Sequence, residues 1–196
     1  MAGERVQRRL AAILAADVVG YSRLMHEDEA GTLARLMGLR QELIEPKADE
    51  FGGRIFKTTG DGFLIEFPSA VDAVQHAVDV QAEAMRRGAD LPEDHRMELR
   101  IGITLGDVMF DGDDVYGDGV NVASRLEGIA EPGGIYVSLL VRESVRNKLD
   151  VAFDDLGEHS VKNISDPVHV FRVALEPLMA GGGDAGASEA MFRRPA

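Results

Sequence analysis

The sequence predicts a mixed α/β fold with the element order strand–helix–strand–strand–helix–strand. An almost continuous apolar run at residues 10–20 is typical of a central strand that is buried on both faces. Two stretches, residues 22–51 and 69–88, repeat apolar residues at helical spacing. Two short apolar runs also flank a Gly-Asp-Gly sequence at residues 60–62, which is a hairpin signal. A single domain of ordinary size follows from this order and from the 196-residue length.

The composition narrows the classes of function. Hydrophobic residues make up 45% of the chain and charged residues 28%, as in globular proteins. Without cysteine, the chain has neither disulfides nor thiolate metal sites. A net charge of -13 would repel a phosphate backbone, so nucleic-acid binding is not expected. An acidic protein can still bind phosphates where metal ions lie between them.

The two ends of the chain indicate the cellular location and the domain boundaries that we expect. No apolar run is long enough to span a bilayer. The N-terminus is basic, but the apolar run after it is short and ends at Asp17, so no signal peptide is expected and a cytoplasmic location is predicted. From residue 176 the chain is rich in Gly and Ala without periodicity. We therefore expect one domain over residues 1–175 and a disordered tail over 176–196.

Asp17 closes the first predicted strand. A carboxylate at the end of a buried strand is costly unless a cation meets it, and Mg²⁺ is one such cation. The alternative is a residue that only ends the strand or caps the next helix. That helical stretch, residues 22–51, carries the buried spacing Leu36, Leu39 and Leu43 before Gly52 ends it.

The predicted hairpin presents two charged residues that its turn does not require. Lys57 precedes the turn and Asp61 lies within it, between strands predicted at 54–56 and 63–67. Glycine supplies the positive φ that a tight turn needs. The turn therefore does not require the carboxylate of Asp61, which could serve a function. The alternative is that Asp61 is simply a turn-forming residue.

Helix 69–88 is predicted to bury one face before a strand that begins near residue 97. The residues expected on that helix face are Val71, Val74, Val78, Ala82 and Met85. Residues 97–103 alternate between apolar residues and other types, as a strand does, and the strand continues towards residue 110.

A Gly/Asp-rich loop that contains Asp114 then becomes a helix near Gly119. Asn121 and Arg125 are four residues apart and therefore project from one face of this helix. A guanidinium beside an amide suits phosphate oxygens or developing negative charge. An exposed arginine with a structural asparagine is an equally consistent interpretation, and Asp114 could be a turn residue.

The remaining chain predicts a short strand at 135–138, a helix at 139–147 and a closing strand pair at 151–156 and 168–173. Lys162 lies between the last two strands.

Three segments in this order resemble the class III nucleotidyl cyclase catalytic domain, which converts ATP or GTP to a 3′,5′-cyclic nucleotide. They are residues 16–22, 57–62 and 114–125, and the resemblance extends over roughly residues 8–175. It implies a ferredoxin-like βαββαβ core with additional strands and helices, which agrees with the element order above.

The resemblance also implies a metal site. Asp17 and Asp61 match the two metal-binding aspartates of the family, with the backbone carbonyl of Val18 as a further ligand. It implies two Mg²⁺ or Mn²⁺ ions per site. Carboxylates combined with substrate phosphates are the usual ligands of Mg²⁺, and two ions can stabilise both the attacking and the leaving oxygen.

The other matched positions concern the nucleotide. Lys57 and Asp114 match the pair that reads the purine edge, and a donor beside an acceptor suits N1 and N6 of adenine better than O6 and N1–H of guanine. Asn121 and Arg125 match the pair that positions the ribose and stabilises the transition state. Lys162 lies where some members place a lysine on the terminal phosphates.

The resulting hypothesis is an adenylate cyclase that converts ATP to cyclic AMP and pyrophosphate. Family members are head-to-tail dimers whose sites take the two aspartates from one chain and the other residues from its partner. This chain carries both sets, which implies a homodimer. The alternatives are a guanylate cyclase, another metal-dependent nucleotidyl transferase such as a diguanylate cyclase or polymerase palm, and a non-catalytic nucleotide-sensing or dimerisation module.

Overall fold

A computed structural model of the protein describes residues 7–160 and 166–175, which form an eight-stranded mixed sheet. The strand order is β2-β3-β1-β4-β6-β8-β7, and β5 pairs with β4 outside this path. The strands are β1 (Gln7–Val18), β2 (Arg54–Thr59), β3 (Gly62–Phe67), β4 (Leu99–Asp111), β5 (Asp114–Tyr116), β6 (Ile135–Ser138), β7 (Ala152–His159) and β8 (Val168–Ala174).

Helices lie against both faces of this sheet. They are α1 (Tyr21–Glu27), α2 (Glu29–Leu39), α3 (Glu45–Glu50), α4 (Ala70–Gly88), α5 (Asp118–Ile129) and α6 (Leu139–Val145). Alternate residues of β1 enter two separate hydrophobic clusters, as the two-residue period of a strand requires. The larger cluster includes residues of α1–α4 and α6, whereas the smaller one includes Ala123 of α5.

The predicted core order is confirmed. In chain order the described residues give β1, the helices α1–α3, the hairpin β2–β3, then α4 and β4, and the additional elements follow. Residues 22–51, however, are not one helix. Asp28 breaks the run and caps α2, because its carboxylate accepts a hydrogen bond from the amide of Gly31 at 3.0 Å. A π-helical turn at Arg40–Ile44 separates α2 from α3. The predicted stripe of Leu36, Leu39 and Leu43 is buried.

The predicted buried face of α4 is wrong in its second half, since Ala82 and Met85 are exposed. The buried positions there include Gln81 and Ala84. The Gln81 amide donates hydrogen bonds to the carbonyls of Leu99 at 2.9 Å and Gly134 at 3.3 Å, so a buried polar side chain occupies this part of the helix face.

The close approach of α5 to the sheet depends on Gly102 of β4. A Cβ atom at this position would lie 2.2 Å from the amide nitrogen of Glu127 and 2.3 Å from the carbonyl oxygen of Ala123. Because no side chain fits between these backbones, glycine sets the distance between α5 and β4.

No helix in the described ranges combines the length and apolarity needed to cross a bilayer. The expected tail over 176–196 and Lys162 lie outside the residues that the structure describes.

Candidate active site

The C-terminal end of β1 meets the tip of the β2–β3 hairpin. Antiparallel pairing of β1 with β3 runs to Ala16 and Phe63, so Asp17 and Asp61 lie beyond the last pair at the same end of the sheet. Burial raises the pKa of Asp61, and the negative charge of Asp17 adds to this effect. Hydrogen bonds from the backbone amides of Asp61 and Val18 act in the opposite direction on that pKa. The structure therefore brings Asp17, Val18 and Asp61 together.

Arg100 is a member of this cluster that the sequence did not single out. It is the cross-strand partner of Asp17 in the β1–β4 pairing. Its Nε lies 3.0 Å from Asp17 Oδ1, and its Nη2 lies 2.6 Å from Asp17 Oδ2. Bidentate pairs of this kind are short and well oriented. One signal was available, namely a cation within the otherwise apolar strand 99–103.

Glu127 of α5 completes the cluster. Its Oε1 lies 3.4 Å from Arg100 Nη2, and its side chain is 15% exposed. Burial raises the pKa of Glu127 to about 8, and the neighbouring Asp17 contributes to this shift. The neutral form of Glu127 is therefore favoured relative to that of an exposed glutamate, and Arg100 balances the Asp17 charge. The sequence contained no signal for Glu127, which lies outside the Asn121–Arg125 spacing.

The donor set at this end of the sheet fits a hard divalent cation. Asp17 and Asp61 supply carboxylate oxygens, and Val18 supplies a backbone carbonyl, which are the oxygen ligands that Mg²⁺ prefers. The pairing of Asp17 with Arg100 shows that its oxygens already bind a positive charge. Within the described ranges, no group of three or more His, Asp or Glu side chains is placed to hold a metal ion. Substrate oxygens would have to complete such a site.

Lys57 of β2 and Asp114 of β5 lie on two strands that do not pair with each other in the sheet. Lys57 is exposed on the edge strand β2, and Asp114 is exposed at the start of β5. The Tyr116 hydroxyl donates a hydrogen bond to Asp114 at 3.2 Å, whereas Lys57 forms no ion pair with any described residue. The two strands are joined by Arg54, whose Nη1 donates to the carbonyl of Asp113 at 3.1 Å.

Asn121 and Arg125 project from the exposed face of α5. Both are exposed, whereas Ala123 and Leu126 on the opposite side are fully buried against the sheet. Within the described part of the chain, neither side chain forms a hydrogen bond or ion pair. They share a helix face, as predicted, but the single chain does not join them to Asp17 and Asp61.

A model of the adenylate and guanylate cyclase catalytic domain matches residues 6–174. The chain belongs to this family. The predicted family and the predicted fold are thus both confirmed.

Two relatives of this cyclase domain are named as adenylate cyclases. It is 51% identical over 171 residues to a Rhizobium meliloti protein named putative adenylate cyclase 3, covering 87% of the chain and 29% of the relative. It is 33% identical to a Streptomyces coelicolor adenylate cyclase, covering 89% of the chain and 45% of the relative. The chain thus spans less than half the length of these relatives.

Solved structures of cyclases have the same fold. A Silicibacter pomeroyi structure described as adenylate/guanylate cyclase/hydrolase is 45% identical with a TM-score of 0.79, and 86% of this chain and 98% of that one are covered. The adenylyl cyclase CyaB from P. aeruginosa is 27% identical with a TM-score of 0.75, and coverage is 87% and 96%.

Proposed function

We propose that this cyclase domain is an adenylate cyclase, which converts ATP to 3′,5′-cyclic AMP and pyrophosphate. The observation that supports this most is the meeting of Asp17, Val18 and Asp61 at the end of β1. Relatives named adenylate cyclase support the choice of ATP.

In the proposed reaction the ribose 3′-oxygen attacks the α-phosphorus. A new oxygen–phosphorus bond forms, the bond to the bridging oxygen breaks, and pyrophosphate leaves while the hydroxyl proton passes to solvent. Asp17 and Asp61, with the Val18 carbonyl, would hold Mg²⁺ or Mn²⁺, and we propose two ions. Such ions offset phosphate charge and favour loss of the hydroxyl proton. The two carboxylates thereby orient the triphosphate relative to the ribose.

The other polar residues of the proposed site would bind the nucleotide. Arg125 would meet negative charge that grows on the α-phosphoryl oxygens, and Asn121 would orient the ribose. The ammonium of Lys57 would donate to adenine N1, while the Asp114 carboxylate would accept from the N6 amino group. Lys162 is proposed to bind the terminal phosphates.

The site would be shared between two copies of the chain. Asn121 and Arg125 form no hydrogen bond or ion pair with a described residue and are exposed on α5, whereas Asp17 lies at the end of β1 and Asp61 in the β2–β3 turn. A head-to-tail homodimer would bring the Asn121 and Arg125 of one subunit to the aspartates of the other. Two-fold symmetry then creates two equivalent sites.

The decisive experiment is a turnover assay with ATP or GTP and either Mg²⁺ or Mn²⁺. We expect cyclic AMP and pyrophosphate in equal amounts and a clear preference for ATP. Equal or faster formation of cyclic GMP would instead identify a guanylate cyclase. Nucleotide binding without cyclic product would identify a non-catalytic nucleotide-sensing module.

A further inference from the structure

An ion cluster around the buried carboxylate of Glu66 includes Arg54 of β2, the strand that carries Lys57. Glu66 of β3 has a side chain that is only 8% exposed. Its carboxylate accepts hydrogen bonds from Arg54 Nε at 2.8 Å and from Arg9 Nη2 at 3.0 and 3.1 Å. Glu66 and Arg54 are direct cross-strand partners in the β2–β3 pairing. The cluster therefore ties β1, β2 and β3 together through one carboxylate.

A buried charge of this kind is weak evidence for stability. The desolvation of a carboxylate offsets much of the attraction to its partners, and an apolar residue of similar volume often stabilises a core equally well. The surroundings of Glu66 would accept such a residue, because the same sheet face carries the apolar Leu64 and Phe56. The presence of a carboxylate at Glu66 is therefore better explained by the orientation of its arginine partners than by a contribution to folding free energy.

Both arginines extend from Glu66 towards β5, Arg54 to the residue before that strand and Arg9 to its pairing partner on β4. Arg54 uses Nε for Glu66 and Nη1 for the carbonyl oxygen of Asp113, which is the residue before Asp114. The guanidinium of Arg9 lies 4.1 Å from the ring centre of Phe110, and Phe110 pairs with Val115 of β5. Glu66 therefore orients two planar cations, of which one bonds the residue before β5 and the other packs on the β4 residue that pairs with Val115.

The position of Lys57 in the sheet is set by the same strand pair. The β2–β3 register shifts between Ile55 and Lys57, so that Lys57 is paired with Leu64 and not with the residue that regular alternation would give. Leu64 and Glu66 are two residues apart and share a sheet face. The bulge thus turns Lys57 towards the face on which Glu66 and Arg54 lie.

We propose that Glu66 and Arg54 are positioning residues for base recognition, which fix the separation of Lys57 and Asp114. Neither needs to touch the nucleotide. Arg54 holds the backbone next to Asp114, and Glu66 holds Arg54 in the rotamer that does so. This inference rests on the proposed function of Lys57 and Asp114 as the purine-reading pair.

The test compares ATP with GTP in Glu66→Gln and Arg54→Lys. Glu66→Gln keeps the shape and removes the charge, whereas Arg54→Lys keeps the charge but cannot bond Glu66 and Asp113 together. Asp79→Asn is the matched control, because Asp79 is a partly buried carboxylate bonded to Lys47 at 3.2 Å on the helical layer. For each variant, thermal unfolding, KM and kcat for both nucleotides, and equilibrium binding of ATP and GTP in Ca²⁺ would be measured.

In both test variants we expect KM for ATP to rise on the order of tenfold and the ATP-to-GTP ratio of kcat/KM to fall by a similar factor. The value of kcat should change less than KM, and Asp79→Asn should leave the ratio unchanged. If both variants keep the wild-type ratio, or lose only thermal stability, the positioning role is overturned while adenylate cyclase activity stands. If the wild type binds ATP but forms no cyclic AMP, the proposed function fails, and the ratio of binding constants still decides the role of Glu66.

Discussion

Arg100 holds both carboxylate oxygens of Asp17, through Nε to Oδ1 at 3.0 Å and Nη2 to Oδ2 at 2.6 Å. The pair is partly buried, with side-chain exposures of 29% and 23%. Any divalent cation that binds Asp17 must therefore compete with a guanidinium that already occupies the same oxygens. We therefore expect Arg100 to lower the affinity of this carboxylate for metal ions.

Replacing Arg100 by Gln should tighten the binding of Mn²⁺ in the absence of nucleotide. Removal of one positive charge about 4 Å away should favour the ion by at least about fivefold in Kd. Isothermal titration of the apoprotein measures this directly. Arg172→Gln is the matched control, because Arg172 forms a similar pair with Asp154 elsewhere. Weaker or unchanged Mn²⁺ binding in Arg100→Gln would show that Arg100 does not compete for Asp17.

Asp17→Ala and Asp61→Ala should each abolish turnover with the fold intact. Loss of one carboxylate removes several kcal/mol of transition-state stabilisation, a loss of more than about 100-fold in kcat. Cyclic AMP formation and circular dichroism would be measured together. Asp155→Ala removes an exposed carboxylate outside the site and should retain activity. Near wild-type turnover in either site variant would refute the metal assignment.

Mixing two inactive variants tests whether the site is shared. Asp61→Ala and Arg125→Ala should each be inactive as homodimers, since both sites lack one half. In a mixed dimer, one site carries both lesions and the other carries neither. With random exchange, half of the dimers are mixed, so recovery should approach about one quarter of wild-type activity. Variants that demonstrably exchange subunits and still show no activity would rule out a composite site.

The choice of base should depend on Lys57 and Asp114. Replacing Lys57 by Glu and Asp114 by Ala exchanges a donor for an acceptor and removes the carboxylate that would face O6 of guanine. The double variant should lose the preference for ATP, by roughly 10-fold or more in the ratio of kcat/KM values. Competition between ATP and GTP in one reaction measures that ratio. An unchanged ratio would mean that other residues read the purine.

The stability of the domain should fall in mild acid because of His76. This side chain is 1% exposed, and burial lowers its pKa from 6.5 to about 4. Between these pH values the unfolded chain binds a proton that folded His76 does not, so the free energy of unfolding decreases as the pH falls from 6.5 towards 4. The full contribution is about 3 kcal/mol.

His76→Gln should therefore reduce the difference in unfolding free energy between pH 7 and pH 5, measured by urea denaturation. His95→Gln is the control, because His95 is on the surface with 49% side-chain exposure. An equally steep pH dependence in His76→Gln would assign the acid sensitivity to other groups.

The sequence predicted the core order of elements because the signals for it are local. The apolar run before Asp17 and the turn at Gly60 each depend on neighbouring residues alone, and Gly60 does adopt a φ of 62°. The positions of Asp17 and Asp61 at one end of the sheet follow from the same two elements. Their proposed roles in catalysis still depend on the experiments above.

What the sequence did not reveal depends on register and on residues distant in the chain. Arg100 is significant only because antiparallel pairing places it opposite Asp17, 83 residues away. Glu66 looks like an ordinary strand residue until its partners Arg9 and Arg54 are known. The break at Asp28 arises from a single side-chain cap, which periodicity across the following helix conceals.

The close packing of α5 on Gly102 has a consequence for how the two proposed catalytic centres of a dimer are connected. The inner face of this helix places Glu127 beside Asp17, and its outer face carries Asn121 and Arg125. In a head-to-tail pair, these two faces would serve different catalytic centres. At Gly102 the backbone of α5 lies directly on the backbone of β4, and the side chains of Ala123 and Leu126 are fully buried on the same side of the helix. In the proposed dimer, a displacement of α5 would therefore move Glu127 at one centre and Asn121 and Arg125 at the other.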